Sequence, residues 1–283
     1  MKKLIVVSLF LVAVVILSIG KWQYDNRIEK NGIQVAKAFK QNQKQELKMQ
    51  KQKLALLEKD KNNSVLDWLK YRYAQQSKIT VSAFGSSVTA GAGSSTLDKH
   101  WTGLLQNFLR DKEGMYNVSL ERNGFGGYTT QRLIAEKRIN DVLANKPDVV
   151  IIEPTIINNY AQNISILQTN QDILFFVNEI RKKLPNTLVI IQSSNPTDPV
   201  KFSGEKNELG LDYEDYANDI KTFTEENHLN YVDVYSGVEN LRVEKNKRLN
   251  ELLKDDRHPN DLGYEYWFET LKTSFEKVPL VNS

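Results

Sequence analysis

The chain contains no cysteine among its 283 residues. Disulfides, thiolate nucleophiles and thiolate metal sites are therefore excluded. Histidine is nearly as scarce. His100, His228 and His258 are the three present, too few and too scattered for a metal cluster. No glycine-rich loop runs into a lysine as a phosphate loop requires. No metal or cofactor is expected. Basic charge is missing where nucleic acid would need it. Residues 1–78 hold 16 of the 38 Lys and Arg but only 6 of the 35 Asp and Glu, so the rest of the chain is acidic and lacks a footprint for phosphates. Nucleic acid is not an expected partner.

Long apolar runs are lacking except at the N-terminus, where the chain opens "MKKLIVVSLFLVAVVILSIGKW". Two lysines precede an uncharged, mostly apolar run from Leu4 to Gly20, the pattern of an export signal. The run is long for a cleaved signal and lies at the lower edge of what spans a bilayer. Trp22 and Tyr24 suit the membrane–water interface. Residues 1–20 are therefore read as a signal-anchor. Cleavage after the small residues Ser18 and Gly20 is the competing reading, weakened by the lack of an A-x-A-like site. A buried core helix is a third reading, which the leading Met-Lys-Lys opposes. A single-pass anchor in the cell membrane places the downstream domain outside the cell, because large domains usually translocate. A cleaved signal would make the protein secreted.

Residues 21–77 form a second region, rich in Lys and Gln. Its strong helix formers predict a helix of about 25 residues, broken near "KDKNN". Leu47, Leu54 and Leu57 show partial heptad spacing that is not sustained. A solvated stalk is favoured over a coiled-coil dimer or a helix lying on the membrane. "SVLDWLKYRYAQQ" then predicts a second amphipathic helix leading into the domain.

From Lys78 to Ser283 strands and helices alternate. "KITVSAFG", "YNVSLE", "PDVVIIEP", "NTLVIIQSS" and "LNYVDVY" read as strands. "HWTGLLQNFLRDK", "TTQRLIAEKRINDVLANK", "NQDILFFVNEIRKKL", "DYEDYANDIKTFTEENH" and "NDLGYEYWFETLKTSFEK" read as helices. The continuous apolar runs suit strands buried on both faces. Regular alternation predicts an α/β domain with a central parallel sheet between helical layers, and active sites in such folds lie at the carboxyl ends of the strands.

Four stretches fall at such ends: "FGSSVTAGAGSS", "NGFGGYTT", "EPTIINNY" and "DDRHPNDLGY". Ester and amide hydrolysis needs a nucleophile, a base, a group that orients the base, and donors for an oxyanion. In the last stretch His258 is a candidate base and Asp255 can accept from its second ring nitrogen. Asp-x-x-His alone is a weak pattern that a surface histidine also satisfies. Asn260 is a plausible cap for the closing helix. Elsewhere His100 is expected to be solvated near a helix start, His228 to lie at a helix end, and Asp256 to face solvent. Glu153 is expected to accept hydrogen bonds at the end of its strand.

Taken together, the order and spacing of the four stretches resemble the GDSL/SGNH hydrolase family over roughly residues 78–278. The family's first block corresponds to "GSSVTAG", Gly85 to Gly91, which places the nucleophile at Ser87. The second block's glycine matches Gly127, the third block's asparagine Asn158, and the final Asp-x-x-His-Pro matches Asp255 and His258. Ser86 stands where the family usually has aspartate. Asn159 follows Asn158 where the family usually has Asn-Asp, and "EPTIINN" is one residue longer than the commoner form. Asn158 is preferred to Asn159, and Ser87 to Ser86.

The resemblance implies a flavodoxin-like three-layer α/β/α sandwich and a serine esterase without cofactor. In it Ser87 attacks, His258 moves the proton and Asp255 orients the imidazole. The N–H groups of Ser87 and Gly127 and the Asn158 amide form the oxyanion hole. The setting suggests acyl or acetyl esters of the cell envelope, on O-acetylated polysaccharide or lipid. Two alternatives stay open: an O-acyltransferase using the same triad, and a non-catalytic glycan-binding module on the same fold.

Overall fold

The structure, a computed structural model, describes residues 2–281. The chain divides into two compact units near Leu56. Helix α1 runs unbroken from Lys2 to Asp60, through the first unit and four residues into the second. The expected anchor and stalk helices are thus one element. The sequence supplies no proline to stop it, and Gly20 and Gly32 each cost a helix only about 1 kcal/mol. Its N-terminal part is long and apolar enough to cross a membrane, and its apolar side chains are exposed. A signal sequence would meet the same description.

The second unit starts at Leu57 and includes α2 (Val65–Gln76). The sequence assigns this helix to the region before residue 78. The structure instead buries Val65, Leu66 and Leu69 in the core of the domain. Ser64 caps α2, accepting from the Asp67 N–H at 3.0 Å. Five strands follow: β1 (Ile79–Gly85), β2 (Val118–Gly124), β3 (Val149–Ile152), β4 (Leu188–Gln192) and β5 (Asn230–Val232). All pairings are parallel, in the order β2-β1-β3-β4-β5. This is the flavodoxin-like order expected. The inner strands β1 and β3 are nearly all buried, as their unbroken apolar runs require.

Helices cover both faces. They are α3 (Ser87–Ala90), α4 (Trp101–Asn107), α5 (Thr130–Ala135), α6 (Ile139–Ala144), α7 (Ile156–Ala161), α8 (Ile166–Lys183), α9 (Tyr213–Glu226), α10 (Val234–Glu244) and α11 (Asp261–Lys277). On one face Trp101 of α4 stacks on Trp267 of α11, centroids 5.8 Å apart and rings 3° from parallel. Two differences from expectation have local causes. The helix predicted over 129–146 is split into α5 and α6, because Lys137 turns to φ 55° and α5 is closed by the Lys137 N–H on the Ile134 carbonyl and the Arg138 N–H on the Leu133 carbonyl. The predicted strand 229–235 is cut short after Val232. There the Asp233 carboxylate accepts from the Ser236 N–H at 3.0 Å and starts α10.

Candidate active site

Every functional residue expected from the sequence sits at the carboxyl edge of the sheet, around β1 and β3, where the strand order reverses. β1 ends at Gly85 and the chain turns at once into α3, a single helical turn whose first residue is Ser87. The turn leaves Ser87 half-exposed while Ser86 and Val88 on either side are fully buried. Ser86 therefore cannot offer its hydroxyl to a substrate. Its N–H donates to Glu153 Oε2 at 2.8 Å, and the Thr89 hydroxyl reaches the same oxygen at 3.4 Å. Glu153 thus accepts at the end of β3, as expected, and braces both sides of the turn that carries Ser87. Burial pushes its carboxyl above the usual range, against the pull of these hydrogen bonds.

The 254–260 loop before α11 brings Asp255 and His258 to Ser87. Ser87 Oγ lies 3.0 Å from His258 Nε2, and His258 Nδ1 lies 2.8 Å from Asp255 Oδ2. Asp255 Oδ1 also accepts the N–H groups of Arg257 at 2.9 Å and His258 at 2.8 Å. Partial burial works to raise the Asp255 pKa. The bonds from the Arg257 N–H and from the His258 ring and N–H outweigh it and hold it down at about 2. The carboxylate is then an acceptor only, so Nδ1 carries a hydrogen and the Nε2 lone pair of the neutral ring faces the Ser87 hydroxyl. A hydroxyl so placed can give up its proton as it attacks a carbonyl.

Asp256 is not simply solvated as expected. It pairs through both oxygens with the Arg257 guanidinium, which lies 4.2 Å over the Phe202 ring. Asn195, just beyond β4, donates to the Arg257 carbonyl at 2.9 Å. The loop bearing His258 is thus tied to the segment after β4.

Beyond β2 the chain reverses at Phe125–Tyr128, closed by the Tyr128 N–H on the Phe125 carbonyl at 3.3 Å. Gly127 holds φ 75° at the third position, the left-handed conformation that a type II turn reserves for glycine. The turn runs beside Ser87: a Cβ on Gly126 would lie 3.8 Å from that of Ser87. The turn's own bond leaves the N–H groups of Gly126 and Gly127 uninvolved. Gln162 donates to the Gly127 carbonyl at 3.1 Å and Asn158 Nδ2 to the Tyr128 carbonyl at 2.9 Å, which fixes the Asn158 amide against this turn.

Helix α7 separates the two asparagines. Asn158 is half-exposed. Asn159 is fully buried, accepting from the Thr130 N–H at 3.0 Å and donating to the hydroxyls of Thr130 and Thr169. Of the two, Asn158 faces the turn beside Ser87.

His100 departs from expectation. It does cap a helix, α4, but it is fully buried. Nε2 donates to the Val88 carbonyl at 2.6 Å, and Nδ1 accepts from the Thr102 N–H and hydroxyl. Desolvation depresses its pKa to about 4; the bond to Val88 opposes this and the nearby Arg122 charge adds to it. No local signal in "LDKHWTGLL" distinguishes this from a surface cap. Its burial depends on the Tyr264 ring, 4.5 Å away in space.

Comparison with known proteins places this architecture. Among solved structures, the fold is similar to an acetyl xylan esterase, AlAXEase, at TM-score 0.56 and 22% identity, over 69% of this chain and 98% of that one. It is also similar to a two-domain esterase active on acetylated mannans, at TM-score 0.58 and 18% identity, over 76% of this chain and 54% of that one. A third is a member of the lipolytic protein G-D-S-L family from Veillonella parvula, at TM-score 0.53 and 16% identity, over 70% of this chain and 99% of that one. Among curated proteins none matches this chain significantly. The model of the GDSL-like lipase/acylhydrolase family matches residues 83–266, from β1 through Ser87, Gly127, Asn158, Asp255 and His258 into α11, and the chain belongs to that family of ester hydrolases.

Proposed function

We propose that the protein is an exported, membrane-tethered serine esterase that removes acetyl or other short acyl groups from cell-envelope polysaccharide or lipid. The observation that carries this reading is the unbroken relay from Ser87 Oγ through His258 to Asp255, at 3.0 and 2.8 Å. In the first half-reaction Ser87 attacks the ester carbonyl while His258 takes its proton. Asp255, ionised throughout, holds the imidazole in the required tautomer and stabilises the imidazolium. The developing oxyanion is met by the N–H groups of Ser87 and Gly127 and by the Asn158 amide hydrogen not used on Tyr128. His258 then protonates the leaving alcohol. Water repeats the sequence on the acyl-enzyme, releasing the acid and restoring Ser87.

Acetylated glycan is the favoured substrate because two proteins of similar fold act on acetylated xylan and mannans. An apolar N-terminal helix that can cross a membrane supports the tether. The test is hydrolysis by the full-length chain in detergent, using acetylated polysaccharides and aryl esters of increasing acyl length, beside Ser87→Ala. Acetate release by wild type alone, falling as the acyl chain lengthens, is the expected result. A preference for long acyl chains would move the substrate to lipids, and equal rates for wild type and Ser87→Ala would remove the mechanism.

A further inference from the structure

The reacting side chains come from two segments 171 residues apart. These segments also touch at three places that involve none of the reacting atoms, all in the turn after α3. Gly93 sits at φ 90°, and a Cβ there would fall 2.2 Å from the Pro259 carbonyl oxygen and 3.1 Å from the His258 Cβ. Only a residue without a side chain lets the turn press so closely on the backbone of the base. One residue earlier, the buried Tyr264 hydroxyl donates to the Ala92 carbonyl at 2.6 Å. Two residues later, Ser95 donates twice to Asp261, N–H to Oδ1 at 2.8 Å and hydroxyl to Oδ2 at 2.6 Å.

The placement matters because neither partner is fixed toward the other by its own element. α3 is one turn of four residues, too short to hold its direction unaided. The 254–260 loop is closed on itself by the Lys254 N–H on the His258 carbonyl and the Asn260 N–H on the Leu252 carbonyl, which together pair Leu253 with Pro259. Neither bond reaches the Ser87 side. The contacts of Gly93, Tyr264 and Asp261 do.

We propose that the 92–95 turn is a clasp that sets the separation of Ser87 Oγ from His258 Nε2, with Gly93, Tyr264 and Asp261 as positioning residues for proton transfer. This rests on the reading of Ser87 and His258 as nucleophile and base. Proton transfer needs that separation held within hydrogen-bond reach, and misplacement by about 1 Å costs on the order of 10²-fold in rate. A side chain at 93 forces the backbone at Pro259 away. Loss of the Asp261 carboxylate frees the outer end of the turn.

The test uses full-length protein in detergent. It measures kcat and KM on a chromogenic acetyl ester, the rate of Ser87 labelling by a fluorophosphonate, and thermal unfolding. Gly93→Ala should lower kcat and the labelling rate together by about 100-fold, with KM within about threefold of wild type. Asp261→Ala, at an exposed pair that does not endanger folding, should lower both by about fivefold, and Asp261→Asn, which keeps an acceptor for the Ser95 N–H, should recover part of that loss. A purely structural role would shift unfolding and leave the rates of the folded fraction alone. If folded Asp261→Ala and any folded Gly93→Ala label and turn over at the wild-type rate while Ser87→Ala is inert, the clasp is rejected and the catalytic reading stands. If wild type itself behaves like Ser87→Ala, the catalytic reading fails and takes the clasp with it.

Discussion

Asn158 and Asn159 are neighbours in sequence, yet one helical step of about 100° gives them different work. Asn159 is buried among Thr130 and Thr169, whereas Asn158 reaches the carbonyl of Tyr128 beside Ser87. Asn158→Ala should cost about 10²–10³-fold in kcat with thermal unfolding unchanged. Asn159→Ala should instead cost stability, roughly 1–3 kcal/mol, by leaving buried partners unpaired. Steady-state kinetics and denaturant unfolding of both variants separate the two roles, and a reversed pattern would exchange them. His100 carries a pH dependence of stability. The unfolded chain's imidazole takes up a proton near pH 6.5, the folded one only near 4. The contribution of the neutral buried ring is therefore complete above about pH 6.5. It drains away as the pH falls toward 4, by roughly 3 kcal/mol in all. Denaturant unfolding between pH 7 and 4 should show this slope, and His100→Asn should flatten it. The Asp255–His258 spacing was legible because both lie in one short loop. The choice between adjacent asparagines, and the burial of His100, depend on a helix's rotation and on rings from distant segments, which no local pattern encodes.

At the scale of elements, the parallel sheet was readable from its continuous apolar runs, and α11 from its amphipathic repeat and the Asn260 cap. Boundaries set by single backbone turns were not. Lys137 at φ 55° splits α5 from α6, and Asp233 starts α10 where β-forming residues continue. The role of α2 escaped for another reason. An amphipathic helix buries its apolar stripe against whatever the fold presents, and the sequence does not say what that is. Here the stripe completes the core with Val65, Leu66 and Leu69. A fragment beginning at residue 78 should therefore be less stable than one beginning at 57. Loss of Leu69 alone, as Leu69→Ala, should cost about 2–5 kcal/mol. Chemical denaturation compares the three, and equal midpoints for the two fragments would show that α2 adds nothing to the core.

Across the whole molecule, charge and hydropathy are segregated along the chain. Basic residues gather in the first 78 positions, behind an apolar run that the structure places in one long helix. If that helix stays as an anchor, full-length protein should sediment with membranes, resist carbonate extraction and dissolve in detergent. Deletion of residues 2–20 should release it. Release of the intact chain by carbonate would contradict the tether while leaving the chemistry untouched. The proposed chemistry depends on distant parts of the chain converging on one hydroxyl. Its most direct test is mass spectrometry of folded, full-length protein after reaction with a fluorophosphonate. A single adduct is expected on the peptide carrying Ser87, absent from Ser87→Ala and formed far more slowly in His258→Ala. An adduct on another residue, or hydrolysis by wild type that persists with Ser87 unmodified, would contradict it.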